Sequence, residues 1–164
     1  MSRSVKIKFK PQYFLPATIY AATRSDSFSE GIPYPLFHSL IYFLEHNGIE
    51  SGYEFNWYFF LKEDLARVGI TEDFSKDVLG YPNSSELAED VYDLAAAQMI
   101  DTVRGSGLII KPGSSFLDNV DAFIDKFERE SKLSLEDLKI LSNVALKNVK
   151  ELLTMCYKWY INEV

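Results

Sequence analysis

The sequence predicts one mainly α (α+β) domain over residues 1–164, and three observations carry that prediction. Segments 34–46 and 84–99 repeat apolar residues at helical spacing and are bounded by helix start and stop residues. Between 102 and 112, apolar residues flank Gly105 and Gly107 in the pattern of a two-stranded hairpin. A last helical stretch, 134–162, carries a single apolar seam. With 164 residues, 47% of them hydrophobic and 25% charged, the chain has the size and composition of a single domain. A chain of this length buries enough surface to fold without a disulfide or a structural metal.

Taken in order, Val5-Lys6-Ile7-Lys8-Phe9-Lys10 alternates apolar and cationic residues with period two, which predicts a strand with lysines on one face, as in a protected sheet edge. Pro11 ends it. Tyr13 to Thr23 is apolar and is expected to be helical after Pro16, and Arg24 to Pro33 reads as a loop. Tyr34 to His46 is an amphipathic helix with Leu36, Phe37, Leu40, Ile41, Phe43 and Leu44 inward. Its opposite side holds His38, Ser39, Tyr42, Glu45 and His46, and Asn47-Gly48 supplies the C-terminal stop. Tyr53 to Phe60 is too aromatic for an ordinary helix and reads as a buried strand. Residues 61–79 divide into two short helical pieces at Gly69. Asn83 followed by Glu86 has capping-box spacing and opens a helix to about Met99, with Leu87, Val91, Leu94, Ala95 and Gln98 as its core face. Ser115 to Asp118 caps a helix to about Ser131. Ser134 caps the last helix, whose seam is Leu138, Leu141, Ala145, Val149, Leu152, Cys156 and Trp159.

Helix, helix, aromatic strand, capped helix and hairpin together describe a winged-helix-like core over about 1–112, extended by two C-terminal helices over 113–164. The stretch Leu36 to Gly48, then Phe55-Asn56-Trp57-Tyr58-Phe59, then Gly80-Tyr81-Pro82-Asn83-Ser84-Ser85-Glu86-Leu87 resembles the pattern of the YwgA-like and Panacea (SocA/GepA-like) prokaryotic families. Those families have an apolar helix, an aromatic strand and a Gly-Pro-Tyr-Ser-x-Glu-Leu turn opening a helix. The likeness spans about residues 12–112; here 61–79 stand between strand and turn, and Tyr81-Pro82 is in reverse order. The resemblance implies a non-enzymatic protein that works as an antitoxin or adaptor, and it brings no catalytic residue.

Charge sharpens the functional reading. The formal net charge is −7, and residues 61–101 alone hold ten acids against three bases. The helix before the hairpin, which a winged-helix protein would press into the major groove, has Glu86, Glu89, Asp90 and Asp93 within about a 100° arc and no base. That face suits a basic protein partner better than phosphate, with charge speeding the encounter. The alternative is a DNA-associated regulator touching phosphates through Lys6, Lys8, Lys10, Arg104 and Lys111, which predicts weak and salt-sensitive binding. A weaker alternative is a hydrolase with a histidine base on the polar patch of His38, Tyr42, Glu45 and His46. The two histidines are eight residues apart, about 12 Å of helix rise, too far to share one zinc ion.

Cys156, the only cysteine, falls on the apolar seam and reads as core rather than nucleophile. A lone thiol fits a reducing, cytoplasmic location. No apolar run approaches the roughly 20 residues of a membrane span, and no motif calls for a cofactor or metal. Met155, Tyr157, Trp159 and Tyr160 are apolar side chains left over on the last helix, from which a homodimer through 134–162 is expected.

Overall fold

A computed structural model describes residues 10–24, 28–59, 80–104 and 108–163. The expectations for the strand bearing Lys6 and Lys8, for residues 61–79 and for the hairpin tip lie outside the described residues. The elements run α1 (Pro11–Ala22), β1 (Ile32–Pro33), α2 (Tyr34–His46), β2 (Asn56–Phe59), β3 (Gly80–Asn83), α3 (Ser85–Ala96), β4 (Ile100–Arg104) and β5 (Leu108–Pro112). Four more helices follow: α4 (Ser114–Leu117), α5 (Val120–Ser131), α6 (Leu135–Leu146) and α7 (Val149–Glu163). The protein is mainly α with a small antiparallel sheet component, as its sequence predicts.

Helix α1 starts earlier than expected. Pro11 occupies its first turn, where a missing N–H is harmless, and the helix continues through Pro16 instead of starting after it. An internal proline costs about 3 kcal/mol. Burial of Phe14 and Leu15 in the preceding turn, worth roughly 1.5–3 kcal/mol each, offsets that cost. Phe14, Leu15 and Ile19 then face α5, α6 and β5.

Helix α2 has the predicted bounds. Its end is a Schellman turn: Ile49 N–H donates to Leu44 O at 2.9 Å and Gly48 N–H to Glu45 O at 3.3 Å, with Gly48 at φ +94°. Its burial differs from the amphipathic expectation, because β1, β3, β5, α6 and α7 surround it. His38 and Ser39 are fully buried and Tyr42 is 2% exposed. Buried polar groups are mostly hydrogen-bonded, and Ser39 Oγ donates to Pro35 O at 2.9 Å.

The main sheet has the order β1-β5-β4, with Ile32 opposite Ile110 and Arg104 opposite Leu108. The predicted hairpin is therefore present and β1 adds a third, two-residue strand. A separate ribbon pairs β2 with β3, with Trp57 opposite Pro82 and Phe59 opposite Gly80. The expected buried strand over 53–60 is here a four-residue ribbon strand with Tyr58 58% and Phe59 68% exposed. Only Trp57 is turned inward, its ring 5.0 Å from Tyr157 and 5.8 Å from Tyr160 on α7.

Two expected long helices are each divided. The stretch from Ser115 to Ser131 breaks at Asn119, whose backbone (φ −136°, ψ 36°) is not helical. The break lets Phe116 sit 5.6 Å from Tyr20 on α1 and 5.8 Å from Phe123 on α5. The stretch 134–162 breaks before Asn148, which recaps α7 by accepting from Glu151 N–H at 3.1 Å. Ser134 caps α6 as predicted, accepting from Asp137 N–H at 3.0 Å. The apolar seam is thus folded back on itself, and α6 and α7 both pack on α2.

A candidate docking face on the third helix

Helix α3 is opened by Ser84, not by Asn83. Ser84 Oγ accepts from Leu87 N–H at 3.2 Å, and its own N–H donates to His38 Nδ1 at 3.1 Å. Leu87, Val91 and Leu94 form the buried face. Of the other expected core positions Ala95 is half-buried and Gln98 is exposed, because the helix stops at Ala96. Met99 N–H donates to Leu94 O at 2.9 Å and Gln98 N–H to Ala95 O at 3.0 Å, with Gln98 at φ +62°. This is a Schellman turn built on a residue other than glycine.

The four acids of α3 separate into two pairs. Glu86 accepts the backbone N–H of Glu54 at 2.9 Å instead of returning to its own cap. Asp90 accepts the hydroxyl of Tyr53 at 2.5 Å, and burial followed by the Asp90 carboxylate raises the Tyr53 pKa. Those two acids hold the segment before β2 against the helix. Glu89 and Asp93 are one turn apart and both exposed, and their carboxylates make no hydrogen bond or ion pair with any described residue. They are the acids free to meet a partner.

Beside them, between α3 and the hairpin, lies a groove of about 480 Å³. One bank is the small-residue flank of α3, Ala88, Ala95 and Ala96, with Tyr92 standing over it at 76% exposure. The other bank is Arg104 and Leu108, which are directly opposite across the hairpin and so share one face of the sheet. Tyr34, Val91 and Thr102 also line it. The composition reading missed this groove; three alanines on one flank of a helix that precedes a hairpin were its signal.

Of the cations expected to meet phosphate, Lys6 and Lys8 lie outside the described residues, and two of the other three are ion-paired. Lys10 lies 3.3 Å from Glu130 on α5, and Lys111 lies 3.9 Å from Asp101 on the neighbouring strand. Arg104 is exposed and has no partner among the described residues.

The expected polar patch on α2 is not a patch. His38 is enclosed between Tyr34 and Tyr81, with ring centroids at 4.4 and 5.9 Å, and burial lowers its pKa to about 3. Accepting at Nδ1 leaves its proton on Nε2, which is buried without a partner among the described residues. At the other end His46 uses both nitrogens: Nδ1 meets Tyr42 O at 2.9 Å and Nε2 meets Glu163 at 2.6 Å. Its ring stacks on Trp159 at 4.5 Å. Glu163 also accepts from the Tyr42 hydroxyl at 2.5 Å, while Glu45 is taken by Ser51 at 2.9 Å. A general base needs a reachable lone pair, and neither ring presents one. This geometry argues against the hydrolase alternative.

Trp159, Tyr157 and Tyr160 likewise find partners within the chain. Over 134–162 the apolar residues left outward are Ile140, Val144, Met155 and Ile161, at 54, 62, 38 and 46% exposure. Cys156 is fully buried, with Sγ 3.8 Å from Ser39 O, and burial pushes its thiol above the usual range. Native protein should therefore resist a thiol reagent such as dithionitrobenzoate, and labelling should become stoichiometric only in denaturant. Rapid stoichiometric labelling in native buffer would refute the core assignment.

The fold and this face together define a mainly helical domain presenting an acidic rim beside an apolar groove. No family model, curated protein or solved structure matches the chain. Among the described residues no His, Cys, Asp and Glu group is placed to hold a metal ion, and no helix is long and apolar enough to cross a membrane.

Proposed function

We propose that this protein is a non-catalytic, cytoplasmic protein-binding regulator or adaptor, antitoxin-like in its mode of action, that engages a basic partner through α3. The observation that carries the reading is the pair Glu89 and Asp93, exposed and with side chains unbonded among the described residues, on a helix that has no Lys or Arg. The scaffold it rests on is winged-helix-like. Supporting that description are the order α1, β1, α2, α3, β4, β5, with the β2–β3 ribbon set between α2 and α3, and a sheet in which β5 lies between β1 and β4. In such a scaffold α3 is the reading helix, and carboxylates at the reading surface repel phosphate while attracting a cationic protein.

Affinity capture from the native cell, with wild type against Glu89→Lys/Asp93→Lys, tests the reading. Basic proteins retained by the wild type should fall at least tenfold on the double variant, and retention should weaken as salt is raised. Unchanged retention of every partner would overturn it. Among the described residues, the DNA-regulator reading is favoured by the exposed guanidinium of Arg104. Tight gel-shift binding lost on Arg104→Ala with Lys111→Ala would establish that reading instead.

A further inference from the structure

We infer that the groove between α3 and the β4–β5 hairpin is a peptide-docking site for a partner segment that carries one large apolar side chain between a basic and an acidic residue. The inference rests on the protein-binding reading above and names what the partner must present.

Shape comes first. A cleft of about 480 Å³ is of the size that takes a large side chain with part of its backbone. Its α3 bank is mostly short side chains, Ala88, Ala95 and Ala96 with Val91, beside the larger Tyr92. Tyr92, 76% exposed at the lip, is a large, rigid ring kept in water beside an apolar cleft. Tyrosine in that setting is a frequent binding hot spot.

Charge then selects the occupant. At 100° per residue, Glu89 and Asp93 lie just outward of Tyr92 and Ala96 on the same helix, so the α3 bank is rimmed by two carboxylates with no partner among the described residues. The hairpin bank carries the Arg104 guanidinium, which has no partner among the described residues. The groove is thus polar across its width, negative on one bank and positive on the other. A segment with a Lys or Arg toward α3 and an Asp or Glu toward the hairpin satisfies both, and only in one orientation. Duplex DNA meets one favourable and two repulsive charges there.

A random peptide library displayed on phage and panned against the full chain tests this. Selected peptides should share an aromatic or large aliphatic anchor flanked by a basic and an acidic residue. Binding of a selected synthetic peptide should weaken at least tenfold on Tyr92→Ala and on Ala96→Trp, which fills the cleft from an exposed position. Arg104→Glu should weaken it severalfold, and exchanging the acidic residue of the peptide for lysine should restore binding to that variant. Peptides lacking an apolar anchor, or a Kd insensitive to both Tyr92→Ala and Ala96→Trp, would overturn the groove assignment. If capture of basic partners still depends on Glu89 and Asp93 in that case, the general protein-binding reading stands without the groove. If duplex DNA binds tightly and displaces the selected peptide, both readings fall.

Discussion

Gly113→Ala is expected to destabilise the fold by about 3 kcal/mol or more, in the upper range for overpacking of a closed site. The backbone at Gly113 (φ −85°, ψ 165°) is open to any residue, so the constraint is contact and not conformation. A Cβ there would lie 2.1 Å from Gln98 O, 2.6 Å from Gln98 C and 2.7 Å from Met99 C. All three are backbone atoms and cannot rotate away. The same carbonyls are tied down, since Gly113 N–H donates to Met99 O at 3.1 Å and Ser115 N–H to Gln98 O at 3.0 Å. Relief would have to separate the Schellman end of α3 from the exit of the hairpin, which unmakes the bank of the groove. Thermal melts should show a fall of about 10 °C, while Ser114→Ala next to it, an exposed position, should stay within about 0.5 kcal/mol. Equal effects at the two positions would refute the close-approach argument.

His38 is expected to control the acid limb of the stability curve. Burial holds its pKa near 3 in the folded chain, against about 6.5 for a free histidine. Between those values the unfolded chain binds a proton that the folded chain refuses. Stability is therefore complete above about pH 6.5, declines as pH falls toward 3, and loses nothing more from this group below that. Between pH 7 and pH 4 the linkage amounts to about 3 kcal/mol. His38→Gln keeps an acceptor for the Ser84 N–H and carries no charge. Its urea-derived stability should be lower than wild type at pH 7, and the gap should narrow or reverse by pH 4. Parallel curves for the two proteins would show that His38 does not carry this linkage.

The local punctuation of the chain was legible in its residues. Asn47-Gly48 ends α2 where the dipeptide stands, Ser134 caps α6, and Gly105 and Gly107 mark the hairpin whose strands pair from Ile100 to Pro112. These features are decided within one helical turn or one strand pair, so a short window of sequence contains their causes. Where local signals compete, the boundary moves by one residue. Asn83 and Ser84 are both good caps, and the choice fell to Ser84 because its N–H also meets His38 from across the core. One signal was present and overlooked: Asn148 three residues before Glu151 repeats the cap spacing inside the seam of 134–162, and there the helix breaks.

The site was legible in part. The acidic arc of α3 is real, yet only Glu89 and Asp93 remain open, because Glu86 and Asp90 hold the backbone of Glu54 and the hydroxyl of Tyr53, 32 and 37 residues away in the chain. No periodicity within α3 distinguishes the two pairs.

By itself, the sequence determined a mainly α domain, its helix and hairpin order, and the charge of α3, since propensity, capping and formal charge belong to residues and their near neighbours. Tertiary structure alone decided which faces close. His38 and Tyr42 lie on the polar side of α2 by pattern and in the interior by fact, because five elements enclose that helix. Burial depends on what distant segments bring to a surface, and that information is spread over the whole chain.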